Sequence, residues 1–151
     1  MEYQYKDHLI FNDIIIIKPQ YDDIDFSFIK NNIKYLLFFN ERNDIIEENR
    51  YYNYRDNLPL SISVFNKSVD NLPNNLTHII FGYCFDQSVD NLPNKLTHLT
   101  FGFRFNKNVD NLPNKLTHLT FGFWFNCTVN NLPQSITHIS FGSKFNRNYV
   151  L

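Results

Sequence analysis

Four of the five histidines, His78, His98, His118 and His138, recur every 20 residues, each preceded by threonine and followed by leucine or isoleucine. Imidazoles repeated this way could share a transition metal through their neutral nitrogens, titrate near physiological pH, or stack as structural groups. No pair of carboxylates recurs beside them, and Cys84 and Cys127 fall at different positions of the interval, without a repeated nucleophile and base. The chain has no Cys-x-x-Cys and no glycine-rich phosphate loop. The expectation is therefore no catalytic residue, no metal and no cofactor, with neutral rings bonded to neighbouring threonines. Protonating adjacent rings about 5 Å apart would cost on the order of 0.8 kcal/mol per pair, so acid below about pH 6 should destabilise the stack.

The elements that hold these histidines are written in the scarce residues. The 151 residues contain no alanine, four glycines, six prolines and sixteen phenylalanines. All four glycines, Gly82, Gly102, Gly122 and Gly142, stand 20 residues apart, as do Pro73, Pro93, Pro113 and Pro133. Fixed periods of this length mark stacked repeats. Regular units start at Leu72, Leu92, Leu112 and Leu132. Within a unit, Leu99, Phe101, Phe103 and Phe105 alternate with Thr100, Gly102 and Arg104, the signature of a strand with one buried face, surest over His98 to Phe101. The Leu-Pro step cannot continue a ladder, and 20 residues leave no room for a full helix on the return.

These features predict a β-rich solenoid: one parallel β-sheet from stacked 20-residue repeats, with short irregular or 3₁₀ return segments. Equivalent side chains then form columns about 4.8 Å apart. Phe81, Phe101, Phe121 and Phe141 make one phenylalanine spine, and Phe85, Phe105, Phe125 and Phe145 the other. Asn71, Asn91, Asn111 and Asn131 are expected to satisfy open backbone at corners, as is a second column of Asn66, Asp86, Asn106, Asn126 and Asn146. The glycine column marks positive φ or close backbone approach where the strand ends. Residues 56–151 form the repeats, with Asp56 to Val69 read as a shortened 14-residue turn. Residues 1–55 are read as an N-terminal cap with degenerate repeats, since Ile33 to Phe38 aligns with Leu96 to Phe101 and His8 to Phe11 with His98 to Phe101. A helical segment around Asp25 to Asn32 lacks capping residues.

Fourteen basic and fifteen acidic residues give a net charge of −1, so nothing predicts a nucleic-acid partner. The longest aliphatic run, Ile14 to Ile17, is far short of the ~20 residues of a membrane span. Without a signal-peptide pattern, a cytoplasmic protein with reduced thiols is expected. What varies between units is Tyr83, Phe103, Phe123 and Ser143, then Cys84, Arg104, Trp124 and Lys144. Arg104 and Trp124 are residue types enriched at binding hot spots. With the outward His78, His98, His118 and His138 and with Thr100 and Thr120, they form the candidate partner-binding surface.

The Phe-Asn and Leu-Pro-x-x-Leu-Thr-His-Leu-x-Phe-Gly elements closely resemble the FNIP repeat family over Asn57 to Leu151. These are leucine-rich-repeat relatives of social amoebae and of giant viruses of amoebae. The unit is also similar to the short leucine-rich repeats of bacterial effectors, although the asparagine those place three residues after the last strand hydrophobe is missing. The resemblance implies a curved, non-enzymatic scaffold for a protein partner, in host cytoplasm if the source is viral. An F-box-like segment would add a ubiquitin-ligase adaptor role, but residues 1–55 show strand-like aliphatic runs instead. The alternative is a self-assembling structural protein that joins copies through solenoid ends; a metal-binding histidine ladder ranks below both.

Overall fold

The structure is a computed structural model and describes residues 3–5, 8–11, 13–17, 26, 29, 32–38 and 65–147. Eight strands form one sheet in strict chain order. They are β1 (Tyr3–Tyr5), β2 (His8–Phe11), β3 (Ile14–Ile17), β4 (Tyr35–Phe38), β5 (His78–Ile80), β6 (His98–Thr100), β7 (His118–Thr120) and β8 (His138–Ser140). From β3 onward all six strands are parallel, in the register that aligns Tyr35, His78, His98, His118 and His138. The β-solenoid read from the 20-residue period is the observed fold. Among the described residues no helix is long and apolar enough to cross a membrane.

The N-terminal region divides differently from its sequence alignment. Ile33 to Phe38 occupies the expected position, with Leu36 opposite Ile79. His8 to Phe11 does not form a degenerate parallel repeat: β2 runs antiparallel to both β1 and β3. The adjoining Asp13 lies in the turn before β3, short enough for a hairpin but not for a crossover. Around Asp25 to Asn32 the described residues show a 3₁₀ turn, in which the Ile29 N–H donates to the Phe26 carbonyl at 3.0 Å.

The 14-residue turn is also reassigned. β4 pairs directly with β5, leaving no level of the sheet between them. Phe65 stacks on Phe38 at 4.4 Å as Phe85 stacks on Phe81 at 3.8 Å. Phe65 to Val69 is therefore the return segment of the β4 turn. Asp56 to Pro59, which suggested a separate unit, lies outside the described residues.

Each regular strand is only three residues long. Its central residue points inward, and Ile79, Leu99 and Leu119 are each 1% exposed. The alternation extended through Phe105 in sequence, but the chain turns at Gly102-Phe103-Arg104, and the Phe105 N–H closes onto the Gly102 carbonyl at 3.4 Å. Phe105 consequently re-enters the core while Phe103 stays outside. A second turn follows each Leu-Pro step, where the Leu96 N–H donates to the Pro93 carbonyl at 3.0 Å.

The core is a set of continuous columns. Phe101 and Phe105 stack at 3.6 Å within a turn, and Phe105 lies 6.1 Å from Phe85 and 6.0 Å from Phe125. Val69, Val89, Val109 and Val129 fill the return side, all essentially buried. The glycines serve close approach. A Cβ on Gly102, Gly122 or Gly142 would lie 2.0, 1.9 or 2.2 Å from the carbonyl oxygen of the preceding glycine.

Of the two asparagine columns, one behaves as expected. The Asn66, Asp86, Asn106 and Asn126 Oδ1 atoms accept the N–H of Asp86, Asn106, Asn126 and Asn146 respectively, at 2.8–3.0 Å. Only the acceptor is used, which explains why Asp86 can replace asparagine. Asn106→Asp is expected to melt like the unmodified protein, whereas Asn106→Ala should lose about 1 kcal/mol in denaturant unfolding by orphaning the Asn126 N–H. The other column does not satisfy backbone as predicted: the Asn91 and Asn111 amides donate to the Asp70 and Asp90 carboxylates at 3.1 and 3.0 Å. Those side chains are exposed.

Candidate interaction surface

Because inward residues are consumed by the core, each turn leaves the same positions facing out: the histidine, the residue two beyond it, and the pair after the glycine. His78, His98, His118 and His138 form a ladder with ring centroids 4.1–4.3 Å apart and planes within 15° of parallel. Tyr35 extends it by stacking on His78 at 4.4 Å. Each histidine Nδ1 lies 2.9 Å from the Oγ1 of the preceding threonine. That hydroxyl also reaches the carbonyl one turn back, as Thr97 does to Thr77 at 3.0 Å. One hydroxyl proton cannot serve both bonds. When the threonine donates to the carbonyl, Nδ1 carries the imidazole proton and Nε2 keeps its lone pair.

Parallel stacking bears on metal chemistry too. In-plane lone pairs of rings about 4 Å apart run side by side and do not converge on one ion at the ~2.1 Å that a zinc–nitrogen bond requires. Burial holds His78 and His98 below the ordinary imidazole value of 6.5, and charge on neighbouring rings pushes the same way. A depressed value means that the folded state disfavours the proton. Stability is then full above about pH 6.5 and is lost as the pH falls below it. A lower melting temperature at pH 5.5 than at pH 7.5 is expected, and substituting His78 and His98 by glutamine should flatten that difference.

Beyond Ile80, Thr100, Thr120 and Ser140, the chain turns and presents an aromatic strip. Tyr83 stacks on Phe103 at 4.7 Å and Phe103 on Phe123 at 4.9 Å. Trp124, 48% exposed, stands edge-on to Phe123 at 5.3 Å. Cations edge this strip. The Arg104 guanidinium lies 5.6 Å from the Tyr83 ring, and the Lys144 ammonium 5.5 Å from Trp124 and 5.6 Å from Phe123. Burial pushes the Tyr83 phenol and Cys84 thiol up, against the pull of Arg104, so both stay protonated at neutral pH. Burial also pushes the Cys127 thiol up, and both cysteines are free.

His78, His98, His118, His138, Thr100 and Thr120 are thus non-core residues of the strands, and Arg104 and Trp124 are exposed in the turns that follow β6 and β7. The stacking of Tyr83, Phe103 and Phe123 was missed in sequence because the alternation assigned Phe103 to the core; Gly102, which ends the strand, was the available signal. A recurrent acid was missed as well. In the repeated Val-Asp-Asn, the carboxylates of Asp70, Asp90 and Asp110 bond to Ser68, Ser88 and Asn108 at 2.7–2.9 Å, on the return side. Bonds from Ser68 and Asn91 hold Asp70 below the usual carboxylate range, and bonds from Asn111 and Ser88 do the same for Asp90.

No curated protein matches the chain. Among solved structures it is similar to CroV588, a giant-virus protein described as a novel circular LRR protein structure, at 29% identity and a TM-score of 0.50. That similarity covers 95% of this chain and 26% of CroV588, so the chain spans about a quarter of its neighbour's length. The FNIP repeat family model matches residues 65–104, 85–124 and 105–144. Those matches run over more than half of the 151 residues and coincide with the turns built on the histidine, glycine and phenylalanine columns: the chain belongs to the FNIP repeat family.

Proposed function

We propose that the protein is a non-catalytic scaffold that binds a protein partner through the outward face of its sheet. The observation carrying this reading is the strip of Tyr83, Phe103, Phe123 and Trp124 edged by Arg104 and Lys144. A tryptophan half exposed on a rigid array spends apolar surface where folding has no use for it. The leucine-rich-repeat-like solenoid supports the reading, since stacked turns hold such side chains at fixed spacing. Free Cys84 and Cys127 fit action in a reducing compartment. The test is affinity capture from cytosol with the protein and with its Trp124→Ala, Arg104→Ala double variant. Loss of the captured partner, with unchanged melting, supports the reading; identical capture contradicts it.

A second reading, association of copies through the face of the last described turn, is favoured by that turn's partly buried apolar residues. Ile136, Ile139, Phe141 and Phe145 are only partly buried, whereas Leu96, Leu99, Phe101 and Phe105 are at most 3% exposed. Circular closure of the longer CroV588 is consistent with turns that can continue. Light scattering over rising concentration decides: growth of mass supports association, and a constant monomer mass excludes it.

A further inference from the structure

The geometry points to an acidic, proline-containing linear peptide as the occupant of the aromatic strip, with two carboxylates three residues apart around an apolar residue. This rests on the reading of the sheet face as the binding surface and names the partner's chemistry. In successive turns one outward column reads Arg104, Trp124, Lys144, a cation on either side of an aromatic ring. Arg104 and Trp124 are exposed, and so is Lys144. Two steps of the sheet place the two cations about 10 Å apart.

Among the described residues, no carboxylate is paired with a cation of this column. Among the described residues the carboxylates are Asp13, Asp70, Asp86, Asp90 and Asp110. Asp70, Asp90 and Asp110 are engaged on the return side, where Asp86 also pairs with Lys107 at 3.3 Å. Asp13 precedes β3, three strands from β6. The cations near Trp124 therefore rest on ring faces, with no carboxylate partner among the described residues. A negatively charged ligand would meet both without displacing a carboxylate of the described residues, among which the Arg104 side chain is bonded only to the neutral Tyr83 phenol.

Spacing then selects the conformation. A polyproline II segment rises about 3.1 Å per residue, so side chains three apart lie about 9 Å apart on one face, close to the separation of the cations. Its intervening apolar residues would lie on Trp124 and Phe123, as aromatic-lined grooves receive such segments elsewhere. Among the described residues two cations, Arg104 and Lys144, lie against these rings, and the net charge is −1, so a polyanion held mainly by its phosphates is a poorer match.

Trp124 is the chain's single tryptophan, so selectively excited emission reports directly from the strip. The probe is a short peptide without aromatic residues, centred on Glu-Pro-Leu-Glu. Saturable change in Trp124 emission is expected, weakening with added salt and by about fivefold when either Arg104→Ala or Lys144→Ala is introduced. The controls are the Lys-Pro-Leu-Lys peptide and an oligothymidylate. No saturable response, an equal response to the lysine peptide, or tighter binding of the oligothymidylate each overturns the inference. If Trp124→Ala with Arg104→Ala still abolishes cytosolic capture while the glutamate peptide is silent, the scaffold reading stands and this one falls.

Discussion

Gly122→Ala is expected to be the most damaging single-methyl change in the repeats, shifting the urea midpoint as a loss of about 3–5 kcal/mol would. Its Cβ would lie 1.9 Å from the Gly102 oxygen and 2.5 Å from the Gly102 carbonyl carbon. Those are backbone atoms, so relief requires separating two turns. Separation stretches the bonds beside the contact, from the Phe101 N–H to the Thr120 carbonyl at 2.8 Å and from the Trp124 N–H to the Phe103 carbonyl at 3.0 Å. Overpacking costs about 1–3 kcal/mol and each weakened bond about 1 kcal/mol more. Gly142→Ala makes a similar clash, 2.2 Å from the Gly122 oxygen, but at the last described strand, where one turn can shift without splitting the array. A smaller loss is expected there. Equal and negligible losses from both would show that the turns are not locked at this distance.

Phe105→Ala should cost about 3–5 kcal/mol in the same assay. The ring is fully buried, packed at 3.6 Å on Phe101 and between Phe85 and Phe125. Because each turn touches only its neighbours, the cavity weakens two interfaces, and hydrogen exchange should rise across β5, β6 and β7 together. Phe145→Ala, which removes a partly buried ring, should cost about half as much and leave protection of β5 and β6 unchanged. Exchange confined to the substituted turn in both variants would contradict nearest-neighbour coupling.

The repeats were readable because one local rule recurs without interruption. A histidine, an inward leucine, a threonine, a phenylalanine and a glycine fix where a strand begins, which face is buried and where it ends. The period alone then dictates a parallel stack in register. Legibility failed where the rule meets something it does not encode. His8 to Phe11 has the right residue types, yet the short link before Ile14 makes it an antiparallel neighbour. Phe65 to Val69 has the right return motif, yet its strand partner is β4, far upstream in sequence. Period-two alternation continues on paper past Gly102, although the backbone has already turned there. The outward residues were found as columns, but whether Phe103 stacks in the core or on the surface depends on that turn. Nor could composition reveal that Asp70, Asp86, Asp90 and Asp110 lie on the return side, leaving Arg104 and Lys144 without carboxylate neighbours among the described residues.

On the proposed function, one side of this solenoid is displayed for recognition and the other only folds. Capture from cytosol by two variants compares the sides directly: Trp124→Ala with Arg104→Ala on the aromatic strip, and Lys67→Ala with Lys107→Ala on the return side. Loss of bound partner from the first and full retention by the second, with both folded, is the predicted result. Retention by the aromatic-strip variant with loss from the return-side variant would contradict it.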